Sequence, residues 1–427
     1  LVQDVHYRDS IREPMNDFFR FQNKALISAT PIVPEKDSRF DGFMRILIQP
    51  DYVYRQKLKL ITTNNVLETL QEVIEAKRGT VCIFCNSIDS IDSFYRLIPE
   101  LSNACTFCSE DGQYKLWKGN RRKKSMMITE LERYNFFTSR FYSAVDILCK
   151  NPPHVIFVSD LYGAAQSVID PATEAIQIIG RFRGGVNSVT HIASIRPELE
   201  CMSSSEIDHW IQGASTIFNG WKAQLTRTTN IGERTLLQEA IGENSYLPYL
   251  DENGKPDSFL IANFYEKEQV KRLYTSADLL HLAYEQTGYF VFSHEERLMP
   301  VSDNERMAIQ HRLAKKKRAE LIVRKLEEME KMSKATDKKI QKRYQRMLMN
   351  LITSTADRYI YDCFCRFGAE FVREADYNEN KLRTALNVSS EHTIKKSGQM
   401  RTYIQRAFPV GAEISVQEAK SMLRQVY

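Results

Sequence analysis

The chain has 427 residues, enough for two or three domains, with 43% apolar and 26% charged residues, an ordinary balance for a globular protein. Its formal net charge of +5 is mild, so only the placement of charge can argue for an anionic partner. No apolar run nears the roughly 18 residues that cross a bilayer, the polar opening LVQDVHYRDSIREP is no secretory signal, and eight diluted cysteines fit reduced thiols. These observations predict no membrane contact and a cytoplasmic setting.

Short apolar runs rich in Val, Ile and Phe predict strands over 24–32 (KALISATPI), 43–50 (FMRILIQP), 80–87 (TVCIFCNS), 103–109 (NACTFCS) and 154–160 (HVIFVSD). Amphipathic segments over 64–78 and 90–101 predict helices between them. Strands alternating with helices argue for an α/β fold, a parallel sheet covered on both faces, with ligands beyond the carboxyl ends of the strands. After about residue 200 the strand pattern fades and helical patterns dominate, as in SADLLHLAYEQTG (276–288) and the run from Asp303 to about Arg366. The polar stretch 251–258 reads as a break, and the chain from about Asp376 reads as small helices joined by polar loops.

Three stretches carry chemistry. Ser28–Thr30 (SAT) closes the first predicted strand, where small hydroxyls either serve a phosphate site or simply begin a turn. TSRFYSAVDI (138–147) reads as a loop entering a helix or strand. Its hydroxyl pair, Thr138 and Ser139, suits a phosphate oxygen, and Asp146 either holds an arginine or stands solvated. EAIQIIGRFRGG (174–185) delivers Arg181 and Arg183 to one spot beside Gly180, Gly184 and Gly185. Arginine serves planar, multi-donor recognition of oxyanions, and its ordinary alternative is a surface salt bridge.

Taken in order, SAT, VCIFCNS, TSRFYSAVDI and QIIGRFR resemble the third to sixth motifs of superfamily 2 (DEAD/DEAH-like) helicases and translocases, over roughly residues 1–195. Ala144 stands where that family usually has Gly, and Arg183 arrives one residue early. The family's phosphate loop, G-x-x-x-x-G-K-[ST], and its Asp-Glu box precede SAT and are not found here; Leu1 lies 27 residues ahead of Ser28, so the sequence is expected to begin just after that box. The resemblance implies the end of a first RecA-like domain over 1–50 and a second over 51–200. A helical accessory region over 201–300 and a basic helical region over 301–427 follow. It implies a nucleic-acid-dependent ATPase with ATP and Mg²⁺ as cofactors and nucleic acid as partner, DNA favoured over RNA. Arg181, Arg183, Gln177 and Gly180 would then meet nucleotide, and Ser28, Thr30 and Asp146 would couple hydrolysis to movement. Thr138, Ser139, Asn86 and Ser87 would touch the phosphodiester backbone. The alternative is a non-catalytic nucleic-acid-binding or scaffolding protein on a RecA-like remnant.

Two further patterns compete for attention. Cys82-x-x-Cys85 and Cys105-x-x-Cys108, 19 residues apart, fit a zinc template, but residues three apart on a strand face opposite sides. No metal is therefore expected on them. Lys315, Lys316, Lys317 and Arg318 open a basic helical run to Arg346 that suits phosphates, a solvated helix or a helical hairpin alike. The stretch 393–408 mixes Lys395, Lys396 and Arg401 with Tyr403 and Phe408, either tracking a strand or packing inward.

Overall fold

A computed structural model describes residues 13–34, 37–52, 54–117, 123–125, 127–128, 130–143, 145–251, 253–311, 314–333, 338–352, 354–395, 406–408 and 414–424. The chain divides into two compact units, Leu1–Met299 and Pro300–Tyr427.

The first unit is α/β. Its strands are β1 (Gln56–Thr63), β2 (Val81–Phe84), β3 (Cys105–Phe107), β4 (Lys123–Ser125), β5 (Tyr134–Phe137), β6 (His154–Ser159), β7 (Ser188–Ser194) and β8 (Phe290–Arg297). They form one sheet in the order β4-β3-β5-β2-β6-β7-β1-β8, with every neighbouring pair parallel. Helix α1 (Glu13–Arg20) precedes the sheet. Parallel neighbours need crossovers, and α2 (Val66–Glu75), α3 (Ile88–Leu97), α4 (Glu110–Trp117) and α5 (Glu174–Gly180) lie in them. The excursion from β7 to β8 carries α6 (Ser204–Arg227), α7 (Ile231–Gly242), α8 (Ser258–Leu273) and α9 (Ala277–Gln286).

The sheet is buried on both faces, and the period of two is visible in β2. Cys82 and Phe84 enter one core while Val81, Ile83 and Cys85 enter the other. Cys105 and Cys108 divide in the same way, so the sheet separates the members of each Cys-x-x-Cys pair. Phe107, Phe137 and Phe84 stack across β3, β5 and β2 with centroids 4.8 and 4.9 Å apart, each contact worth about 0.5–1.5 kcal/mol beyond its burial.

The helices after residue 200 share this core. Tyr274 and Tyr284, from the end of α8 and from α9, are fully buried against β6 and β7. Their hydroxyls join Ser159 and His191 in a chain of hydrogen bonds.

Two predicted strands are absent. Residues 24–32 and 43–50 take no strand conformation, and Ile27 is 94% and Ile48 84% exposed. A β-forming run becomes a strand only beside another strand's backbone edge, and these segments meet none among the described residues. The chain around them packs on α8 instead. Phe19 and Phe40 meet edge to face at 5.0 Å, Phe40 meets Phe259 at 6.1 Å, and the Asp37 carboxylate accepts from Arg39 and Ser258. Conversely, β8 is a strand within the part of the chain where helical patterns dominate the sequence. Its charged half, Glu295–Arg297, hides the strand in the sequence; as an edge strand paired to β1 alone, it tolerates that charge.

The second unit is helical: α10 (Asp303–His311), α11 (Lys315–Ser333), α12 (Lys338–Leu351), α13 (Thr355–Glu374), α14 (Glu379–Lys395) and α15 (Val416–Arg424). Ile322, Val323 and Leu326 of α11 are buried, as are Leu348 and Leu351 of α12 and Ile360 and Val372 of α13. A buried Asp303–Arg306 pair at 3.0 Å opens the unit, and Lys325 reaches Glu305 at 2.7 Å and the Pro300 carbonyl at 2.8 Å. No helix among the described residues is long and apolar enough to cross a membrane.

Candidate functional site

Because the strands are all parallel, their carboxyl ends share one edge. Asn86 and Ser87 follow β2, Thr138 and Ser139 follow β5, and Asp160 follows β6. The loops interlock there. Asn86 Oδ1 accepts from the Ser139 amide at 3.4 Å and Asn86 Nδ2 donates to the Gln166 carbonyl at 3.5 Å. Ser87 and Thr138 are buried: Ser87 Oγ caps α3 by accepting from the Ser90 amide, and the Thr138 hydroxyl donates to the Phe107 carbonyl. Asn86 and Ser139 are half-buried, and the neighbouring Arg140, which the motif reading passed over, is exposed.

Sequence reasoning also missed a knot at this edge. The Asp160 carboxylate, 3% exposed, accepts from Ser90 Oγ at 2.9 Å and from the Gly163 amide at 3.1 Å, tying α3 to the loop after β6. A Cβ on Gly163 would overlap that carboxylate and come within 2.8 Å of Ser90 Oγ. The signal was the spacing Asp-x-x-Gly directly after a strand. Gly163→Ala is expected to cost about 2 kcal/mol of stability in chemical denaturation, whereas Gly180→Ala, where a Cβ meets nothing within 4 Å, is expected to change it little.

The arginine pair lies elsewhere than expected. Parallel β6 and β7 force α5 to run back towards their amino ends, so Arg181 and Arg183, past the end of α5, stand before the start of β7 and not at the carboxyl edge. Phe182 explains their spacing. It is buried between them, with its ring 6.1 Å from Phe84, which turns its two neighbours away from the core. Arg183 Nε pairs with Asp146 Oδ1 at 3.0 Å, and Arg181 Nε donates to the Gln177 carbonyl at 3.0 Å. The Arg183–Asp146 pair is more than half exposed on the arginine side, so it adds little stability but sets the direction of the guanidinium. Among the described residues, the terminal nitrogens of both arginines make no hydrogen bond or ion pair. The Ile147 amide donates to the Arg181 carbonyl at 2.9 Å, so segment 138–147 is joined to the arginine turn through both backbone and side chain. Ala144 lies outside the described residues.

The SAT stretch meets this site. Gln177 Nε2 donates to Thr30 Oγ1 at 2.6 Å, bridging 147 residues, and Ser28 Oγ accepts from the Thr30 amide at 3.1 Å. Of the glycines beside the arginines, Gly185 has φ +78°, a conformation glycine adopts freely, while Gly180 and Gly184 face open space.

In the second unit Lys315, Lys316 and Lys317 are exposed, with Lys316 paired to Asp376 at 2.7 Å. Arg318 turns inward to the buried Asp357 carboxylate, so it is not a free cation of that cluster. The side chains of Lys338–Lys342, and residues 396–405 of the basic-aromatic stretch, lie outside the described set. Among the described residues no three His, Cys, Asp or Glu side chains gather to hold a metal ion. Comparison with protein-family models, with curated proteins and with solved structures found no match.

Proposed function

We propose that the chain is the RecA-like second lobe of a nucleic-acid-dependent ATPase of the superfamily 2 helicase or translocase kind. Arg181 and Arg183 meet the terminal phosphate of ATP, while a separate lobe provides the phosphate loop and the carboxylates for Mg²⁺. Gln177 and Thr30 carry nucleotide state to the segment before the sheet. The single observation that carries the reading is the convergence of three distant stretches on one turn. SAT arrives through Thr30–Gln177, segment 138–147 through Asp146–Arg183 and Ile147–Arg181, and each arginine is held at Nε with its fork unspent. A fork held at its base suits a planar, multi-oxygen anion and loses little freedom on binding it.

Nucleic acid would lie across the carboxyl edge, where Arg140 is exposed and Asn86 and Ser139 are half-buried. Such contacts go to phosphates and release counterions, so affinity falls with salt. The test titrates the chain with a labelled single-stranded oligonucleotide, as DNA and as RNA. Binding is expected to weaken roughly tenfold or more as salt rises about fourfold. Arg140→Ala combined with Asn86→Ala is expected to weaken it further and to flatten the salt slope. Binding that ignores both salt and this double variant would remove nucleic acid from the carboxyl edge.

A further inference from the structure

The mild net charge of the chain conceals a division. Pro300–Tyr427 holds 26 Lys and Arg against 16 Asp and Glu, a net +10, so Leu1–Met299 carries −5. The unit with the arginine turn repels a polyanion at long range, and the helical unit attracts one.

Many carboxylates of the second unit are already engaged. Asp303 pairs with Arg306, Glu305 and Glu328 with Lys325, Glu327 with Arg373, Asp357 with Arg318 and Asp376 with Lys316. What stays open is cationic. On α11, Lys317, Arg324 and Lys331 recur every seven residues, so they share one side of the helix at steps of about 10.5 Å. All three are exposed, while Ile322, Val323 and Leu326 are buried on the other side. Lys317 and Lys331 make no ion pair or hydrogen bond among the described residues, and Arg324 stands 3.6 Å from Glu305 and 3.9 Å from Glu328, a loose hold. Helix α12 carries Lys338, Lys339, Lys342, Arg343 and Arg346 and no carboxylate. At 3.6 residues per turn these positions lie on the side of α12 away from the buried Met347, Leu348 and Leu351. Helix stability does not account for the pattern. The first turns of α11 and α12 hold lysines and no acidic residue, the reverse of what the helix dipole favours.

We propose that the second unit is an anchor for nucleic acid, held through the Lys317–Arg324–Lys331 row of α11 and the basic side of α12. The contacts go to phosphates and read no sequence. The choice of nucleic acid among polyanions rests on reading the first unit as a nucleic-acid motor; the division of charge does not. A strand with a phosphate at every residue matches cations repeated at even steps along a helix. A bilayer would need an apolar face beside the charge, and the apolar sides of α11 and α12 are spent inside the unit. The anchor keeps the strand attached while the carboxyl edge, on an acidic unit, takes hold and lets go.

The experiment titrates the full chain with labelled oligothymidylate at salt from about 50 to about 200 mM. Lys317→Ala, Arg324→Ala and Lys331→Ala together are expected to weaken binding roughly tenfold or more at low salt. The slope of log affinity on log salt is expected to shrink by about 2, three phosphate contacts at about 0.7 each. Alanine at exposed helical positions preserves the helix, which circular dichroism checks, and Lys317→Arg with Lys331→Arg is expected to bind as wild type does. Unchanged affinity and slope in the triple variant overturn the anchor, and so does binding abolished by Arg140→Ala with Asn86→Ala alone. Competition by polyglutamate or by phosphatidylserine vesicles that equals, charge for charge, competition by unlabelled oligonucleotide overturns nucleic acid as the partner. A complete motor whose ATP hydrolysis ignores an oligonucleotide that the row still binds overturns the motor reading and leaves the anchor standing.

Discussion

Arg181→Ala is expected to lower nucleic-acid-stimulated ATP hydrolysis by about 10³-fold or more in the complete motor, with nucleotide affinity changed far less. Charge grows on the transferring phosphoryl group in the transition state, and a guanidinium already aimed at it stabilises that state more than the ground state. Arg181 has its Nε on the Gln177 carbonyl and its terminal nitrogens unspent, so the loss falls on chemistry and not on folding. Arg181→Lys is expected to restore little, because an ammonium cannot reproduce the fork. Arg183→Ala belongs to the same test, and Asp146→Asn sharpens it. If Asp146 only directs Arg183, its amide, which keeps one acceptor oxygen, costs less than removing the arginine. Steady-state rates with and without oligonucleotide decide the matter. Equal rates in wild type and Arg181→Ala would take the pair out of the nucleotide site and favour the scaffold reading.

The second large effect is on stability. His191 is fully buried, and burial pulls its imidazole down to about 3, so it folds neutral. Its surroundings also select one tautomer. The Tyr274 hydroxyl donates to the Ile169 carbonyl at 2.7 Å and so accepts from Ser159 Oγ at 3.1 Å. Ser159, having donated, accepts from His191 Nε2–H at 3.1 Å, which leaves Nδ1 to accept from the Tyr284 hydroxyl at 2.7 Å. A proton on Nδ1 would face a hydroxyl already donating towards it.

A histidine with a depressed folded pKa contributes stability that is complete above its unfolded value of 6.5 and is lost as pH falls towards about 3. Between about pH 7.5 and about pH 4.5 this amounts to roughly 2–3 kcal/mol. Glu266 works in the opposite sense, since burial and then Asp170 raise it to about 7 and acid relieves it. The diagnostic quantity is therefore the difference between wild type and His191→Gln in urea denaturation at the two pH values. Wild type is expected to lose its advantage on acidification. A constant difference would show that His191 does not titrate between them.

Much of the first unit was legible in the residues. Runs such as Val81–Phe84 and Val155–Val158 are apolar at every position, the mark of strands buried on both faces, and the structure places them at the centre of the sheet. The separation of Cys82 from Cys85 by the sheet followed from a period of two. The edges were illegible for the same reason. β8, the edge strand, ends in charge, and β1 beside it carries Lys57 and Lys59, both exposed, so neither is apolar throughout. Residues 24–32 and 43–50 erred in the other direction: they have the composition of strands and, among the described residues, no neighbour to pair with.

The sequence alone determined a doubly covered α/β unit, the grouping of SAT, TSRFYSAVDI and QIIGRFR, and a helical, basic second half, since local periodicity and residue chemistry act over a few positions. Only the tertiary structure decided that Phe182 turns the two arginines outward, that Thr30 reaches Gln177, and that Arg318 is committed to Asp357. Those are contacts between residues far apart in the chain, created when the packing of the core fixes the backbone, and no local pattern encodes them.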